Sequence, residues 1–388
     1  MNQYLVTEYG VKTASPELQT AAFQAVLDLC RSGGGTVVVP AGTYHVAALR
    51  MWSDTTLYLQ KGAVICGSDN CDDYEIFPIP DGMPMRSDLE LIPQYYHKPV
   101  WEEYRRAILT AYGEKNISII GEFGSAIDGR NCYDPNGEEH YRGPHAIFLS
   151  CCENVLLDGY TARHSGNFLH EANNCRNLTM RNVTCLGGSD GIHLHFTRHA
   201  VIEDCLFKTG DDCIAGINVS DLTVRRCILN TSCNLFRMGG TGVVVEDCYA
   251  YGAGYYPHRV TVVRGKNDEL PRTGGRHNTL CLVDHFASTE YPGVPSNMRF
   301  RNCVFENINR ILEDPRDGDS LHSGNHMGYL SLENVRFTDL KEPSLICADG
   351  TRPLTIRLKD VSFGFAEDAP AKTPFVFSPG ADARILEE

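Results

Sequence analysis

Asn154-Val155-Leu156-Leu157, Asn177-Leu178-Thr179-Met180, His199-Ala200-Val201-Ile202, Asp221-Leu222-Thr223-Val224 and Gly242-Val243-Val244-Val245 are five versions of one short phrase. A polar residue or glycine opens each phrase, and an apolar or β-branched run follows. From opening to opening the chain advances 23, 22, 22 and 21 residues. Each unit then carries a second short run and a Gly/Asn/Asp turn. A period near 22 made of short strands, with no helical pattern between them, predicts an all-β solenoid, a right-handed parallel β-helix. Leucine-rich repeats share the period, but their Leu-x-x-Leu-x-Leu skeleton with a fixed Asn is missing.

Six residues past each opening stand Tyr160, Val183, Cys205, Cys227 and Cys248, and the offset recurs from Asn297 to Cys303 and from Tyr329 to Val335. Stacked coils place equivalent residues above one another, so this column is expected to face inward as a Cys/Val ladder. Such cysteines behave as small apolar core residues. The 16 cysteines include no CxxC pair and no Cys/His group at zinc spacing. Unbridged core thiols suit a reducing compartment. The start, Met1-Asn2-Gln3-Tyr4-Leu5-Val6, shows neither a basic region nor an apolar one of secretory type, so a cytoplasmic location is expected. The Asn-x-Ser/Thr positions Asn116, Asn177, Asn182, Asn218 and Asn230 read as stacked turn residues rather than glycan sites.

The chain has 388 residues, of which 42% are hydrophobic, so there is material for a core and no case for disorder. Lys and Arg number 35 against 49 Asp and Glu, a net charge of −14 that argues against nucleic acid or an anionic membrane as the partner. No apolar run reaches the length of a membrane span. One domain over residues 1–388 is expected, because a solenoid grows by adding coils. Residues 1–35 read as its cap, with Ser15 as N-cap, Pro16 at the first helical position and an apolar stripe of Ala21, Ala22, Ala25, Val26, Leu29 and Cys30. Gly33-Gly34-Gly35 is not a phosphate loop, since it follows the helix and no Lys-Ser/Thr comes after it. Two excursions from the repeat are expected, at 72–106 and 252–295. The second concentrates Tyr255, Tyr256, His258, Arg259, Arg264, Lys266, Arg272, Arg276 and His277 in an otherwise acidic chain. Loops of that length in a regular scaffold usually serve function.

Gly188-Ser189-Asp190-Gly191 and Gly210-Asp211-Asp212-Cys213 lie one coil apart. Counting by 22 joins Phe168, Asp190, Asp212 and Asn234 in one column, with Asp211 beside it. Coils stack about 4.8 Å apart, so like charges in one column raise a carboxyl pKa. A purely structural protein avoids that arrangement or binds a cation there. A glycosidase needs it, with one carboxylic acid to protonate a leaving oxygen and one carboxylate to activate water. His193 and His195 share one side of a strand and belong to the core or to the cleft according to which side that is.

These residues resemble the polygalacturonase family of glycoside hydrolases (family 28), over most of the chain. Gly33-Gly34-Gly35-Thr36-Val37-Val38-Val39-Pro40-Ala41-Gly42-Thr43-Tyr44 is similar to that family's bacterial N-terminal segment, and Asn116-Ile117-Ser118-Ile119 with Ile127-Asp128-Gly129 fits its next stretch. The family's Asn-Thr-Asp-Gly motif reads Gly188-Ser189-Asp190-Gly191 here, and its Gly/Gln-Asp-Asp motif is intact as Gly210-Asp211-Asp212. The resemblance implies that Asp211 is the general acid, that Asp190 and Asp212 hold the nucleophilic water, and that the anomeric centre is inverted. The family's Gly-His-Gly aligns with Cys233-Asn234-Leu235, so Asn234 replaces its histidine, and its Arg-Ile-Lys has a loose counterpart in Arg264-Gly265-Lys266. Arg237 is a further candidate for holding a substrate carboxylate, because a guanidinium meets a carboxylate in bidentate fashion. The expected function is therefore a pectic glycoside hydrolase, exo-acting, on an oligosaccharide. Asp190, Asp211 and Asp212 are expected to be catalytic. His193, Asn234, Arg237, Arg264 and Lys266 are expected to bind substrate, with no cofactor and no metal. The rival readings are a uronate lyase or epimerase, a diverged hydrolase of a neutral sugar, and a non-catalytic carbohydrate-binding β-helix.

Overall fold

The structure is a computed structural model that describes residues 2–83, 104–137, 142–259, 275–286, 294–313 and 326–387. At each repeat opening the backbone turns left-handed. Asn154, Asn177, His199, Asp221 and Gly242 have φ of 58°, 56°, 56°, 55° and 69°. That conformation costs most side chains 1–2 kcal/mol, roughly, and Asn, Asp and Gly least, which explains the residue types that start the phrases. The side chains also stack. Asn177 Nδ2 donates to Asn154 Oδ1 at 3.0 Å, and Asn154 Nδ2 donates to Asn116 Oδ1 at 2.9 Å. Asn230 departs from the expected turn role: it lies buried in the strand Ile228–Thr231 and bonds the chain at 251–255.

After each turn come three strands, and each pairs in parallel with its counterpart one coil on. Val155 pairs with Leu178, Leu178 with Ala200, Ala200 with Leu222, and Thr223 with Val244. The register reproduces the sequence period, and the three strands of each coil make the three faces of a prism. One coil runs Arg176–Arg181, Thr184–Gly187 and Ile192–His195. Alternate side chains point in, so Leu178, Met180, Val183, Cys185, Ile192 and Leu194 are sealed in one continuous core. Burial of each such side chain is worth roughly 1.5–3 kcal/mol.

The thiol column is inward as expected. The Sγ of Cys205, Cys227, Cys248 and Cys303 donates to the carbonyls of Glu203, Arg225, Glu246 and Arg301 at 3.2, 3.3, 3.3 and 3.1 Å. All 16 cysteines are unbridged. A thiol suits this column because it fills a small volume and satisfies the carbonyl two residues back at the bend.

The cap helix differs from the sequence expectation. It spans Thr20–Asp28, and Gln19 rather than Ser15 occupies its N-cap. Ser15 Oγ instead accepts from the Glu17 N–H at 3.2 Å and from Gln19 Nε2 at 3.3 Å, a local turn that competes with helix. The buried stripe is Phe23, Val26, Leu27 and Cys30, whereas Ala21, Ala25 and Leu29 are exposed. The second excursion also differs: within 252–295 the strand Cys281–His285 returns to the prism and pairs with Asn234–Thr241 and Arg310–Glu313.

The turn column makes a stability prediction. Asn177→Ala keeps a left-handed backbone with an unsuitable side chain and breaks the asparagine ladder, so urea melts should show a loss of about 2 kcal/mol. Asn177→Gly removes only the ladder and should lose about half of that. Equal losses would show that the backbone conformation contributes nothing.

Candidate active site

The second and third faces of the prism are joined by short turns, and the acidic residues sit on two of them. Residues 188–191 join Thr184–Gly187 to Ile192–His195, and residues 210–213 join Leu206–Thr209 to Ile214–Arg225. Backbone bonds hold the turns in register: the Leu169 N–H donates to Asp190 O at 3.0 Å, Gly191 N–H to Asp212 O at 3.0 Å, and Cys213 N–H to Asn234 O at 3.1 Å. The column Phe168, Asp190, Asp212, Asn234 is therefore real. Thr209 Oγ1 donates to the Asp211 carbonyl at 2.8 Å, and Thr231 Oγ1 donates to the same carbonyl.

One carboxyl oxygen from each of Asp190, Asp211 and Asp212 lies within 4.8 Å of the other two. With a protein-like effective dielectric, two unit charges at that distance repel by roughly 3 kcal/mol, about two pKa units per pair. Three full charges therefore do not persist together near neutral pH. Burial and the charge of Asp211 push Asp190 up to about 8. Burial, with Asp211 and Asp190, also holds Asp212 well above the usual carboxylate range. Asp211 goes the other way. Burial opposes its charge, but His258, Arg259, Arg142 and Arg237 outweigh it and hold the carboxyl below its usual value. The proton-bearing groups are thus Asp190 and Asp212, and Asp211 is ionised.

The outward side of the third face supplies the surroundings. Glu171 pairs with His193, His193 with Ala215, Ala215 with Arg237, and Arg237 with Asp284. His193 and His195 are therefore on the outer side, not in the coil core, yet both are buried. His193 Nδ1 lies 3.1 Å from Asp190 Oδ2. Burial, with Arg237 and Arg142, holds that imidazole well below its usual pKa, so the contact is a neutral one. Glu171 lies 3.7 Å from His195 Nδ1, and burial together with Asp190 holds its carboxyl well above the usual range. Burial alone takes His195 down to about 3.

Asn234 fills the place below Asp212. Its N–H and Nδ2 donate to Asp212 Oδ1 at 3.1 and 2.9 Å. Arg237 Nε is 3.3 Å from Asp284 Oδ2, and its guanidinium lies 4.7 Å over the Phe286 ring. Arg142 lies 5.2 Å over Phe168. Arg142, Phe168, Asp190, His193, Asp211, Asp212, Arg237 and Phe286 line one pocket, whose free space is that of about one water molecule.

Of the expected site residues, the structure brings together Asp190, Asp211, Asp212, His193, Asn234 and Arg237. Arg264 and Lys266 lie outside the described residues. Sequence reasoning did not single out Arg142, Glu171 or Asp284 as site residues, and it placed His258 and Arg259 only in a basic excursion. Glu171 was reachable, because it stands 22 residues before His193. Arg142 carries no such signal, since it lies off the repeat.

Among the described residues, two donor clusters are compact enough to consider for a metal, Asp190 with Asp211 and Asp212, and Asp211 with Cys233 and His258. The fit is poor on charge grounds. Arg259 Nη2 is 3.4 Å from Asp211 Oδ2, and Arg142 and Arg237 line the same pocket, so fixed cations already balance these carboxyls.

Residues 124–262 match the family model described as a right handed beta helix region. The chain is 35% identical over 133 residues to an exo-poly-alpha-D-galacturonosidase of Dickeya chrysanthemi, a stretch that covers 34% of this chain and 19% of that protein. The chain thus matches about a fifth of that relative's length. It is 25% identical to a polygalacturonase of Nicotiana tabacum, over 95% of this chain and 86% of the relative. Among solved structures, a hyperthermoactive exopolygalacturonase from Thermotoga maritima superposes with a TM-score of 0.70 at 14% identity, covering 100% of this chain and 90% of that one. That likeness shows the fold.

The raised carboxyl of Asp190 makes stability depend on pH. Its pKa rises from 3.8 to about 8 on folding. Between those values the folded chain keeps a proton that the unfolded chain releases, so stability falls as pH rises through this window. Asp190→Asn should raise the melting temperature at pH 8 and leave it nearly unchanged at pH 4. A gain of the same size at both pH values would contradict the assignment.

Proposed function

With the chain polygalacturonase-like in sequence and a right-handed parallel β-helix in fold, we propose that it is a glycoside hydrolase of pectic oligosaccharides that cleaves an α-galacturonide-type bond. The observation that carries this is the pocket itself: three carboxyls within 4.8 Å, set among guanidiniums. Carboxyls provide acid and base, and the arginines provide affinity for an anionic sugar. Exo action is the mode named for two of the relatives above. A reducing, cytoplasmic setting belongs to the same proposal, supported by 16 unbridged thiols.

In this mechanism Asp190 and Asp212 hold a water that attacks the anomeric carbon, and Asp211 protonates the departing oxygen. Inversion and these roles follow from the motif resemblance. They require Asp211 to carry a proton in the complex, although the cations around it favour its ionised form. The substrate supplies the change. A uronate carboxylate seated against Arg142 and Arg237 offsets their positive charge, which raises the proton affinity of Asp211 as the sugar arrives. The proton that Asp190 or Asp212 gives up passes to Asp211, which leaves one carboxylate to accept the water's proton and one acid to protonate the departing oxygen. His193 orients Asp190, and Asn234 fixes Asp212 through its two donated bonds.

The test is hydrolysis by purified protein of oligogalacturonides and of an aryl galacturonide against the matching galactoside. New reducing ends from the galacturonide are expected. An unsaturated, ultraviolet-absorbing product would replace this reading with a lyase, and sugar binding without product would replace it with a binding protein. Asp211→Asn should lower kcat by about 10³-fold, the usual scale for loss of an acid–base group. It should also lower the melting temperature, since Arg259 is 1% exposed and loses a counter-charge. Activity near wild type in the folded variant would remove Asp211 from the mechanism.

A further inference from the structure

Resting on the hydrolase reading, we infer that His258 and Arg259 are positioning residues for Asp211: they hold its carboxyl in the cleft and set its charge. Neither belongs to the repeat, and neither stands in the motifs that carry the family resemblance.

The coil cannot supply these partners by stacking. One period before Asp211 is Ser189, and one period after it is Cys233. Both are uncharged neighbours, and Arg237 on the ladder already pairs with Asp284, so the groups in direct contact with the Asp211 carboxyl come from outside the ladder. The segment that provides it is built into the wall. Asn230 Nδ2 donates to the carbonyls of Tyr251 and Ala253 at 2.8 and 3.0 Å, and Asn230 Oδ1 accepts the Tyr255 N–H at 2.6 Å. Ser232 Oγ donates to the Tyr256 carbonyl. The Gly254 N–H donates to His277 O at 2.8 Å, and the His258 N–H to Arg276 O at 2.7 Å. Gly210, directly before Asp211, completes the seat. A Cβ there would lie 2.1 Å from the Pro257 carbonyl, so only glycine lets the segment pack on this turn.

So placed, the two residues meet the two oxygens of one carboxyl. His258 Nε2 lies 3.8 Å from Asp211 Oδ1, and Arg259 Nη2 lies 3.4 Å from Oδ2. They are 6% and 1% exposed. Arg259 also lies 5.8 Å over the Phe168 ring, on the pocket wall. A guanidinium this deep costs several kcal/mol unless an anion answers it, and Asp211 is placed to do so. Among the described residues, the other charged or titratable groups facing Asp211 are Asp190, Asp212, Arg142, Arg237, His193 and the Cys233 thiol. The carboxyls oppose its charge and the arginines favour it, so His258 and Arg259 act with Arg142 and Arg237 against the Asp190–Asp212 pair.

The experiment compares wild type with His258→Gln, His258→Ala, Arg259→Lys and Arg259→Met. Two readouts are followed: the pH profile of kcat/KM on an aryl galacturonide, and the titration of 13C-labelled aspartate assigned through Asp211→Asn. Removal of the imidazole in His258→Ala and of the guanidinium in Arg259→Met should raise the titration of Asp211 by about one pH unit or more, the scale for an opposite charge at this range. The acid limb of kcat/KM, which in the free enzyme follows the lower-titrating carboxyl, should move up with it. Arg259→Lys keeps the charge and should hold the wild-type limb. Where Arg259→Met does not fold, the two His258 variants, each of which removes the imidazole, decide the question. A uniform fall at every pH with an unmoved Asp211 titration overturns the proposal and leaves the pair a packing role. Should wild type hydrolyse nothing, the hydrolase reading fails, and the isotope titration alone still decides whether the pair controls Asp211.

Discussion

Two neighbouring turns of the coil bring three carboxyls to within 4.8 Å of one another, and almost every feature around them follows from that crowding. Stacked parallel strands cannot keep equivalent residues apart. A charge written into one turn is repeated against its neighbour at the spacing of a hydrogen-bonded sheet. The repulsion is large enough to leave protons on Asp190 and Asp212 while one charge remains on Asp211. Such a division of protons among adjacent acids is the raw material of acid–base chemistry.

The prism and its excursions play different physical parts. The prism is regular, sealed by apolar side chains and thiols, and it fixes the carboxyls through backbone register. Regularity also limits it, because each column tends to repeat the same kind of residue. Much of the counter-charge therefore arrives from segments off the ladder, Arg142 from one loop and Arg259 from another, each laid on the ring of Phe168, and it joins Arg237 on the third face. Those segments cover the outer side of the third face. Tyr104, Tyr112, Phe148 and Phe168 make one small apolar cluster beside the pocket, and Phe196, Ile217 and Phe286 make another. The low dielectric they create holds His193 and His195 neutral and Glu171 protonated.

Much of this was legible in the sequence, and the part that was not shares one cause. The 22-residue rhythm placed Asp190, Asp212 and Asn234 in one column and sent Cys205, Cys227, Cys248 and Cys303 inward. Both follow from counting, because a parallel register converts sequence spacing directly into contact. Where the register does not apply, counting fails. Ser15 reads as a helix cap, but its hydroxyl is used in a local turn and the helix begins at Thr20. Asn230 reads as a turn residue, but it organises the segment behind Asp211. The strand Cys281–His285 lay hidden because the insertion before it stretches the step from Asn234 to Cys281 far beyond one period.

By itself the sequence determined the fold, the acidic column, the thiol ladder and the family likeness. Each is a consequence of local spacing on a repeating scaffold, where one interaction propagates along the whole chain. Tertiary structure alone decided which carboxyl is charged, which side of the strand His193 occupies, and which cations stand beside Asp211. Those depend on burial and on long loop returns, and neither a desolvation energy nor the landing place of a loop is set by the residues next to it in the chain.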